Sequence, residues 1–495
     1  RTVYGPYGFS LLWTRNGRPT PQAQAAIAAF ENAAAKGLDA TDYDAGQWTA
    51  RVASLRSDAD LARFDVALTT SLLRYASDVR NGRVHPHEVS FALDVEPKKF
   101  YAPALGAQIA TSTDATPTLA SLEPQHDEYR RLLTALATYR QLESQSKNDQ
   151  PLPVVTKLSP EQTYDALPQL AAKLRLYGDL DANATVEGNV YTGAIVDAVK
   201  HFQARHGLGD DGVIGKTTFA ALNTPVSRRI EQIEMALERW RWMPAQLDEQ
   251  TILVNIPEFR LHARDAKTGE TLSMRVVVGK AAGHKTPVFE GDIKHVVFRP
   301  YWNVTPNIQR SEIAPKLESD PNYLARNDYE LLDAAGRVIG THVDAETIRR
   351  VRNNSLRVRQ KPGRSNALGL VKFLFPNDNN VYLHSTPQQS LFARARRDFS
   401  HGCIRVEDPV ALAAWALRND PRWDREKIEK AMKGDRDDIY VKIDRPINVK
   451  ILYATAAVDA NGTVQFFDDI YGHDTQLAKV LEPQQQGAAV MLAAK

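Results

Sequence analysis

The stretch FSHGCIRVEDP, residues 399–409, holds Cys403, the only cysteine in 495 residues. The thiolate is the reactive form of cysteine, and it is favoured where positive groups lie close and access is open. Gly402 leaves the backbone beside the sulfur unobstructed for a substrate carbonyl, while His401 and Arg405 add positive character. A thiol nucleophile also needs a base. In NNVYLHSTP, Tyr382 and His384 stand two apart, so on a strand they share one face and bring a phenol and an imidazole to one pocket. His384 is the candidate base. Taken alone, a single cysteine in β-rich sequence is more often a small buried hydrophobe, and a single histidine a hydrogen-bonded core residue. The pair points to chemistry where neither member does.

These side chains need rigid elements to hold them. After the thiol, Asp408 and Pro409 read as the N-cap and first residue of a helix over VALAAWALR, with Val410, Ala414 and Leu417 expected on its inner face. Upstream, TILVNIPEFRLHARD, TLSMRVVVGK, KHVVFRPYWNV and NNVYLHSTP are short apolar or alternating runs, with TGE as a turn between the first two, so residues 250–450 read as a mainly β domain. Between Pro306 and Pro362 the pattern breaks into charged and helix-like sequence. Roughly 55 residues are too many for an ordinary connection and predict a subdomain or lid at about 310–360.

A chain of this length divides into about three or four domains. With 43% hydrophobic and 25% charged residues and a net charge of +2, nothing marks a nucleic-acid partner. Residues 1–150 read as a helical scaffold. PTPQAQAAIAAFENAAAKG has Thr20 as cap and Gly37 as stop, and the next long segment puts Leu61, Phe64, Leu68, Leu72 and Tyr75 on one face. HDEYRRLLTALATYRQL repeats the pattern with Tyr129, Leu132, Leu133, Leu136 and Tyr139. A polar, proline-bearing linker, 143–160, leads to a compact unit at 160–224. RRIEQIEMALERWRWMP then carries Ile230, Ile233, Leu237 and Trp240 on one stripe, so 225–248 is expected to complete the scaffold. At the end, 451–495 reads as a hairpin turning at Asn461 and Gly462, with a tail.

Two stretches resemble known families. VDAVKHFQARHGLGDDGVIGKTTFAALN is similar to the three-helix peptidoglycan-binding module, matching its FQ, HGL, DGVIG and T...LN elements in order. HSTP, then sixteen residues from His384 to Ser400, then SHGCIRV resembles the signature of the L,D-transpeptidase catalytic domain. RQKPGRSNALGLVKFLFPN, YWNVTP and the DIYG ending at Gly472 further resemble the large, scaffold-bearing L,D-transpeptidases with a capping subdomain. The fold expected is therefore multidomain α+β: helical scaffold, small three-helix module and mainly β catalytic domain with a capping insertion.

The resemblance implies a ping-pong acyl transfer on tetrapeptide stems. Cys403 attacks the carbonyl before D-alanine, releases it and forms a thioester that a second stem's side-chain amine resolves, giving a 3-3 cross-link. His384 takes and returns the proton. A backbone carbonyl near Ser385 orients its ring, and N–H groups around Gly402 and Cys403, aided by Tyr382, hold the oxyanion. Arg405 either binds a stem carboxylate or braces the loop; Ser400, His401, Trp302 and Asn366 are placed at the substrate groove. ARARR, 393–397, is either a solvated basic face or a steering patch for anionic stems.

No metal or cofactor is expected. GDDG fails the spacing of a calcium loop, and a zinc reading of His384, His401 and Cys403 lacks a fourth partner. Expected partners are stems and, as inhibitors, carbapenem-type β-lactams; no protein partner is named. The implied location is periplasmic and wall-associated, and the opening on Arg1 without methionine suggests a trimmed signal or anchor. Two alternatives stay open: an L,D-carboxypeptidase that resolves the same thioester with water, and a noncatalytic wall-binding protein.

Overall fold

A computed structural model of the chain describes residues 3–93, 98, 102–146 and 150–482. It divides into two compact units, Arg1–Leu247 with Tyr453–Lys495, and Asp248–Leu452.

The first unit is helical. Thr20 caps Pro21–Glu31 by accepting from the Ala23 N–H, and Ser57 and Asp60 form a reciprocal capping box on Asp58–Asn81. Phe64, Leu68, Leu72 and Tyr75 of that long helix are buried together with Trp13, Phe30, Tyr43 and Trp48. The small module has its own core: Leu167–Leu176, Ala194–Arg205 and Lys216–Leu222 bury Leu170, Ile195, Val199, Phe202 and Phe219. Leu152 and Leu158 join this core, so most of the polar segment before it belongs to the module rather than to a linker. Two apolar side chains among prolines outweighed the composition. Residues 147–149 of that segment lie outside the described residues. Ile233 and Leu237 of Val226–Arg241 pack with Tyr129, Leu132 and Leu136 of Asp127–Gln145 and with Phe466 of the hairpin Ala456–Val458 and Val464–Phe466. A helix, His473–Leu481, follows the hairpin, and the tail from 483 lies outside the described residues.

The second unit is built on one sheet. Its strands in chain order are β1 (Gln250–Asn255), β2 (Arg260–Asp265), β3 (Thr271–Gly279), β4 (Phe289–Phe298), β5 (Val371–Leu374), β6 (Leu383–His384), β7 (Asp398–Ser400), β8 (Ile404–Val406) and β9 (Ile439–Leu452). They pair in the order β7-β3-β8-β6-β5-β4-β9-β1-β2, and β2 also pairs with β3, so the sheet closes on itself. Closure removes the exposed edges that an open sheet of this size would leave. The first apolar stretch forms a hairpin of β1 and β2: the chain reverses at 256–259, where Phe259 has φ +55°.

Residues 302–360 form a separate subdomain within this unit. Its four-stranded sheet runs Trp302–Asn303, Arg357–Gln360, Tyr329–Leu332, Val338–Gly340. Ile313, Leu317, Leu324, Leu331, Val351 and Val358 make its core. The buried Gln309 amide ties the core together, donating to the carbonyls of Val351 (2.8 Å) and Leu356 (2.7 Å) and accepting from the Val358 N–H (2.8 Å). A segment with its own sheet and core is a folded subdomain, called the cap below, rather than a floppy loop.

Candidate active site

The alternation of β5, β6 and β8 decides which side chains meet. β5 and β6 are antiparallel with Lys372 opposite His384 and Phe373 opposite Leu383; β6 and β8 are parallel with Leu383 opposite Ile404 and His384 opposite Arg405. Phe373, Leu383 and Ile404 are wholly buried on one face of this three-strand patch. Period-two alternation puts Lys372, Tyr382, His384, Cys403 and Arg405 on the other.

Tyr382 is the immediate neighbour of the sulfur. Both its backbone N–H and its hydroxyl are placed to donate to a Cys403 thiolate, and the Trp302 indole hydrogen-bonds the same hydroxyl. As a thiol, Sγ instead donates to the Asn380 carbonyl at 3.6 Å. Burial pushes the thiol above its ordinary range; the Tyr382 donors, Lys372 and Arg405 oppose it.

His384 is buried, its ring edge-on to Tyr382 at 5.7 Å. Nδ1–H donates to the Ser385 carbonyl at 2.5 Å, which leaves the lone pair on Nε2. Burial pushes the imidazole down to about 3, helped by Arg405 and Lys372 and opposed by the carbonyls of Ser385 and Leu368. The ring is thus neutral and able to accept a proton at any physiological pH. The imidazole is not among the sulfur's contacts, so proton transfer needs the thiol to turn from Asn380 toward it.

The loop before the sulfur is braced from within. Ser400 Oγ donates to the Cys403 carbonyl at 2.5 Å and accepts from the Gly402 N–H at 3.1 Å, while Thr286 Oγ1 donates to the Gly402 carbonyl at 2.8 Å. Ser400, expected at the substrate groove, is therefore a buried brace. The Gly402 N–H, expected to hold an oxyanion, is already engaged, whereas the Cys403 N–H has no acceptor among the described residues. Gly402 itself sits at φ +115°.

The remaining residues separate further. Asn366, also expected at the groove, is wholly buried; its amide donates to the carbonyls of Lys361 (2.8 Å) and Pro300 (3.2 Å) and its oxygen accepts from the Leu368 N–H (2.8 Å). A short polar side chain between a proline-rich turn and a strand is more useful closing that turn than facing solvent. His401 hydrogen-bonds Glu312 of the cap and lies against His284 at 4.7 Å. Arg405 donates through Nη1 to Gln388 at 2.6 Å, and its buried Nε has no acceptor among the described residues. In the basic run, Arg397 is buried on the carbonyls of Phe259 and Val276, Arg396 pairs with Asp398, and Arg394 lies over the Phe399 ring. Only Arg397 of that run is internal; Arg394 and Arg396 are exposed. The helix after the site is Pro409–Leu417, capped by Asp408 onto the Ala411 N–H. Its buried face is Leu412, Ala413, Trp415, Ala416 and Leu417; Val410 and Ala414, expected inside, are half-buried. A helix apolar nearly all round gives periodicity no face to choose.

Sequence reasoning missed Lys372, Glu312 and Gln388. The VKFL alternation did set Lys372 apart from two buried neighbours, but its partner strand is needed to aim it at the sulfur.

Parts of the chain match known families. Residues 249–430 match the YkuD family, described as the L,D-transpeptidase catalytic domain, residues 1–136 match the Scaffold domain, and residues 163–222 match the "Putative peptidoglycan binding domain". A Haemophilus influenzae protein described as "Putative L,D-transpeptidase" is 34% identical over 251 residues, covering 50% of this chain and 49% of the relative. The chain therefore spans about half the length of that curated relative. A solved L,D-transpeptidase from Xylanimonas cellulosilytica DSM 15894 shares 14% identity, covering 61% of this chain and 99% of that one; at a TM-score of 0.19 the likeness says nothing about the fold. The thiol, phenol and imidazole gathered beside β6 and β8 thus lie in the region that matches the L,D-transpeptidase catalytic domain of the YkuD family, in a chain whose other parts match the Scaffold domain and the "Putative peptidoglycan binding domain".

Proposed function

We propose that the protein is a cysteine acyltransferase that joins the third residues of two peptidoglycan stems. The observation that supports this best is the single face shared by Cys403, Tyr382 and His384, with the imidazole neutral and oriented through Nδ1 by the Ser385 carbonyl. In the first half-reaction the thiol proton passes to His384, and Sγ attacks the carbonyl between the third residue and D-alanine. The C–N bond breaks, the proton goes to the departing D-alanine amine, and a thioester remains. In the second, a stem's side-chain amine attacks that thioester, its proton returns through His384, and the C–S bond breaks. The oxyanion of each tetrahedral intermediate falls to the unengaged Cys403 N–H and the Tyr382 hydroxyl; losing one such donor typically costs about 3 kcal/mol. The orphaned Nε of Arg405 favours binding a stem carboxylate over pure bracing, since a guanidinium edge is built to take a carboxylate.

The cap serves the second half-reaction by excluding water and placing the acceptor amine. Carbapenem-type β-lactams acylate the same sulfur, and the site of action is the wall of the periplasm. Incubation with defined disaccharide tetrapeptides and mass analysis tests the whole scheme. Dimer with free D-alanine supports it; tripeptide alone makes the enzyme an L,D-carboxypeptidase, and unchanged substrate makes the chain a wall-binding protein.

A further inference from the structure

Lys372 occupies a position that the acyl-transfer scheme above does not use. It pairs with His384 across β5 and β6, and its Nζ lies 3.9 Å over the centre of the Tyr382 ring, on the sulfur's side of the patch. A cation over an aromatic face is held by the ring's quadrupole without being neutralised. Among the described residues Lys372 has no ion-pair partner; burial pushes its ammonium below the ordinary range, and an anionic Cys403 and the Asp438 carboxylate, the only carboxylate acting on it, oppose that. The groups acting on the sulfur are therefore Tyr382, just before β6, Lys372 from β5 and Arg405 from β8, with His384 on the same face and Asp438 acting on Lys372 from the segment before β9.

This charge set has a consequence for the thiol. In many cysteine nucleophiles the thiolate is balanced by an imidazolium. Here two fixed cations stand close to the imidazole in a buried setting and oppose its protonation. The counter-charge for an anionic sulfur must then come from the cations themselves, and of the two, Lys372 acts on the sulfur more strongly than Arg405. Arg405 is, in addition, tied to Gln388.

We propose that the Lys372 ammonium, held over the Tyr382 ring, is the fixed positive charge that stabilises the Cys403 thiolate at the moment of attack. Its role is electrostatic: it donates no proton and touches no substrate atom. The cation raises the share of thiolate and disfavours the imidazolium, so Cys403 and His384 lose their usual mutual dependence. The inference rests on Cys403 being the nucleophile proposed above.

The test is the pH dependence of iodoacetamide alkylation at the single thiol, followed by intact-protein mass between pH 5 and 10 in the parent, Lys372→Met and Lys372→Arg. Lys372→Met is expected to move the midpoint to higher pH, with alkylation about tenfold slower at pH 7 and an unchanged alkaline plateau, because one nearby opposite charge commonly shifts an ionisation by about one unit or more. Lys372→Arg is expected to recover most of that loss. A Lys372→Met curve superimposable on the parent overturns the proposal. So does an equal slowing at every pH, which would mean that the lysine only shapes access. If methionine disturbs folding, Lys372→Gln makes the same charge deletion and is read from the same curve. Alkylation requires no stem, so a parent enzyme that alkylates normally but makes no product from tetrapeptides would refute the proposed function and leave this inference standing.

Discussion

Gly369 is the position where the fold and the chemistry of His384 are most tightly joined. It sits at φ +64°, and a Cβ built on it would lie 2.5 Å from Ser385 Oγ, 2.6 Å from Ser385 Cβ and 2.7 Å from the Thr386 nitrogen. The Ser385 carbonyl orients the His384 ring, and the Leu368 carbonyl, next to Gly369 in the chain, also faces it. Gly369→Ala therefore carries two costs. A left-handed conformation at a non-glycine residue costs about 1–2 kcal/mol, and forcing an atom into a filled space costs about 1–3 kcal/mol more, so about 2–5 kcal/mol of stability should be lost. If relaxation displaces Ser385 by about 1 Å, the misplaced base should slow acylation by about 10²-fold. Gly269→Ala in the β2–β3 turn is the comparison, with φ +73° and no atom within 4 Å of the new Cβ. It should show only the backbone cost and acylate like the parent. Thermal unfolding and the rate of carbapenem adduct formation by intact mass measure both effects. Gly369→Ala that acylates within threefold of the parent, or that loses no more stability than Gly269→Ala, would refute the reasoning.

Three further outcomes are expected. One carbapenem adduct per chain should form on the parent and none on Cys403→Ala, whose folding should be intact because the loop is held by Ser400 and Thr286; an adduct surviving the substitution would place the reactive group elsewhere. Because the folded pKa of His384 is depressed to about 3 from an ordinary 6.5, its stabilising contribution is complete above pH 6.5 and is lost as pH falls toward 3, by at most about 1.4 kcal/mol per pH unit. His384→Gln should flatten that part of the acid unfolding profile of the catalytic domain, and parallel profiles for the two proteins would count against a buried neutral ring. Replacing residues 304–358 by a short Gly/Ser linker should lower the ratio of cross-linked dimer to tripeptide more than it slows carbapenem acylation; equal losses in both would make the cap merely structural.

How much of this was legible in the sequence depends on how far each relation reaches along the chain. Tyr382 and His384 share a face because strands repeat every two residues, and the Thr20 and Asp408 caps are local hydrogen bonds, so short segments suffice for both. The aim of Lys372 depends on the β5–β6 register, and the contact between Glu312 and His401 joins residues 89 apart. Neither leaves a local pattern. Ser400 and Asn366 show a different failure: their residue types were read as facing a substrate, yet short polar side chains beside a tight turn are equally suited to satisfying its backbone, and here they do. The half-buried Val410 and Ala414 show a third, in which a helix without a polar side gives no phase to read.

The cap leaves and rejoins the catalytic domain through neighbouring antiparallel strands, with Asn303 opposite Arg359 and Trp302 opposite Gln360. Its two ends are therefore already side by side, and changing the length of chain between them alters the closure entropy only slowly, by about 0.6 kcal/mol per doubling. None of the nine strands of the closed sheet is drawn from that segment. The insert is in this sense a cassette: a graft of different length or sequence between residues 303 and 359 would inherit a ready-made seam while Cys403, His384 and the strands beside them stay as they are. The insert can thus diversify in length and sequence without any change to the nine strands of the closed sheet.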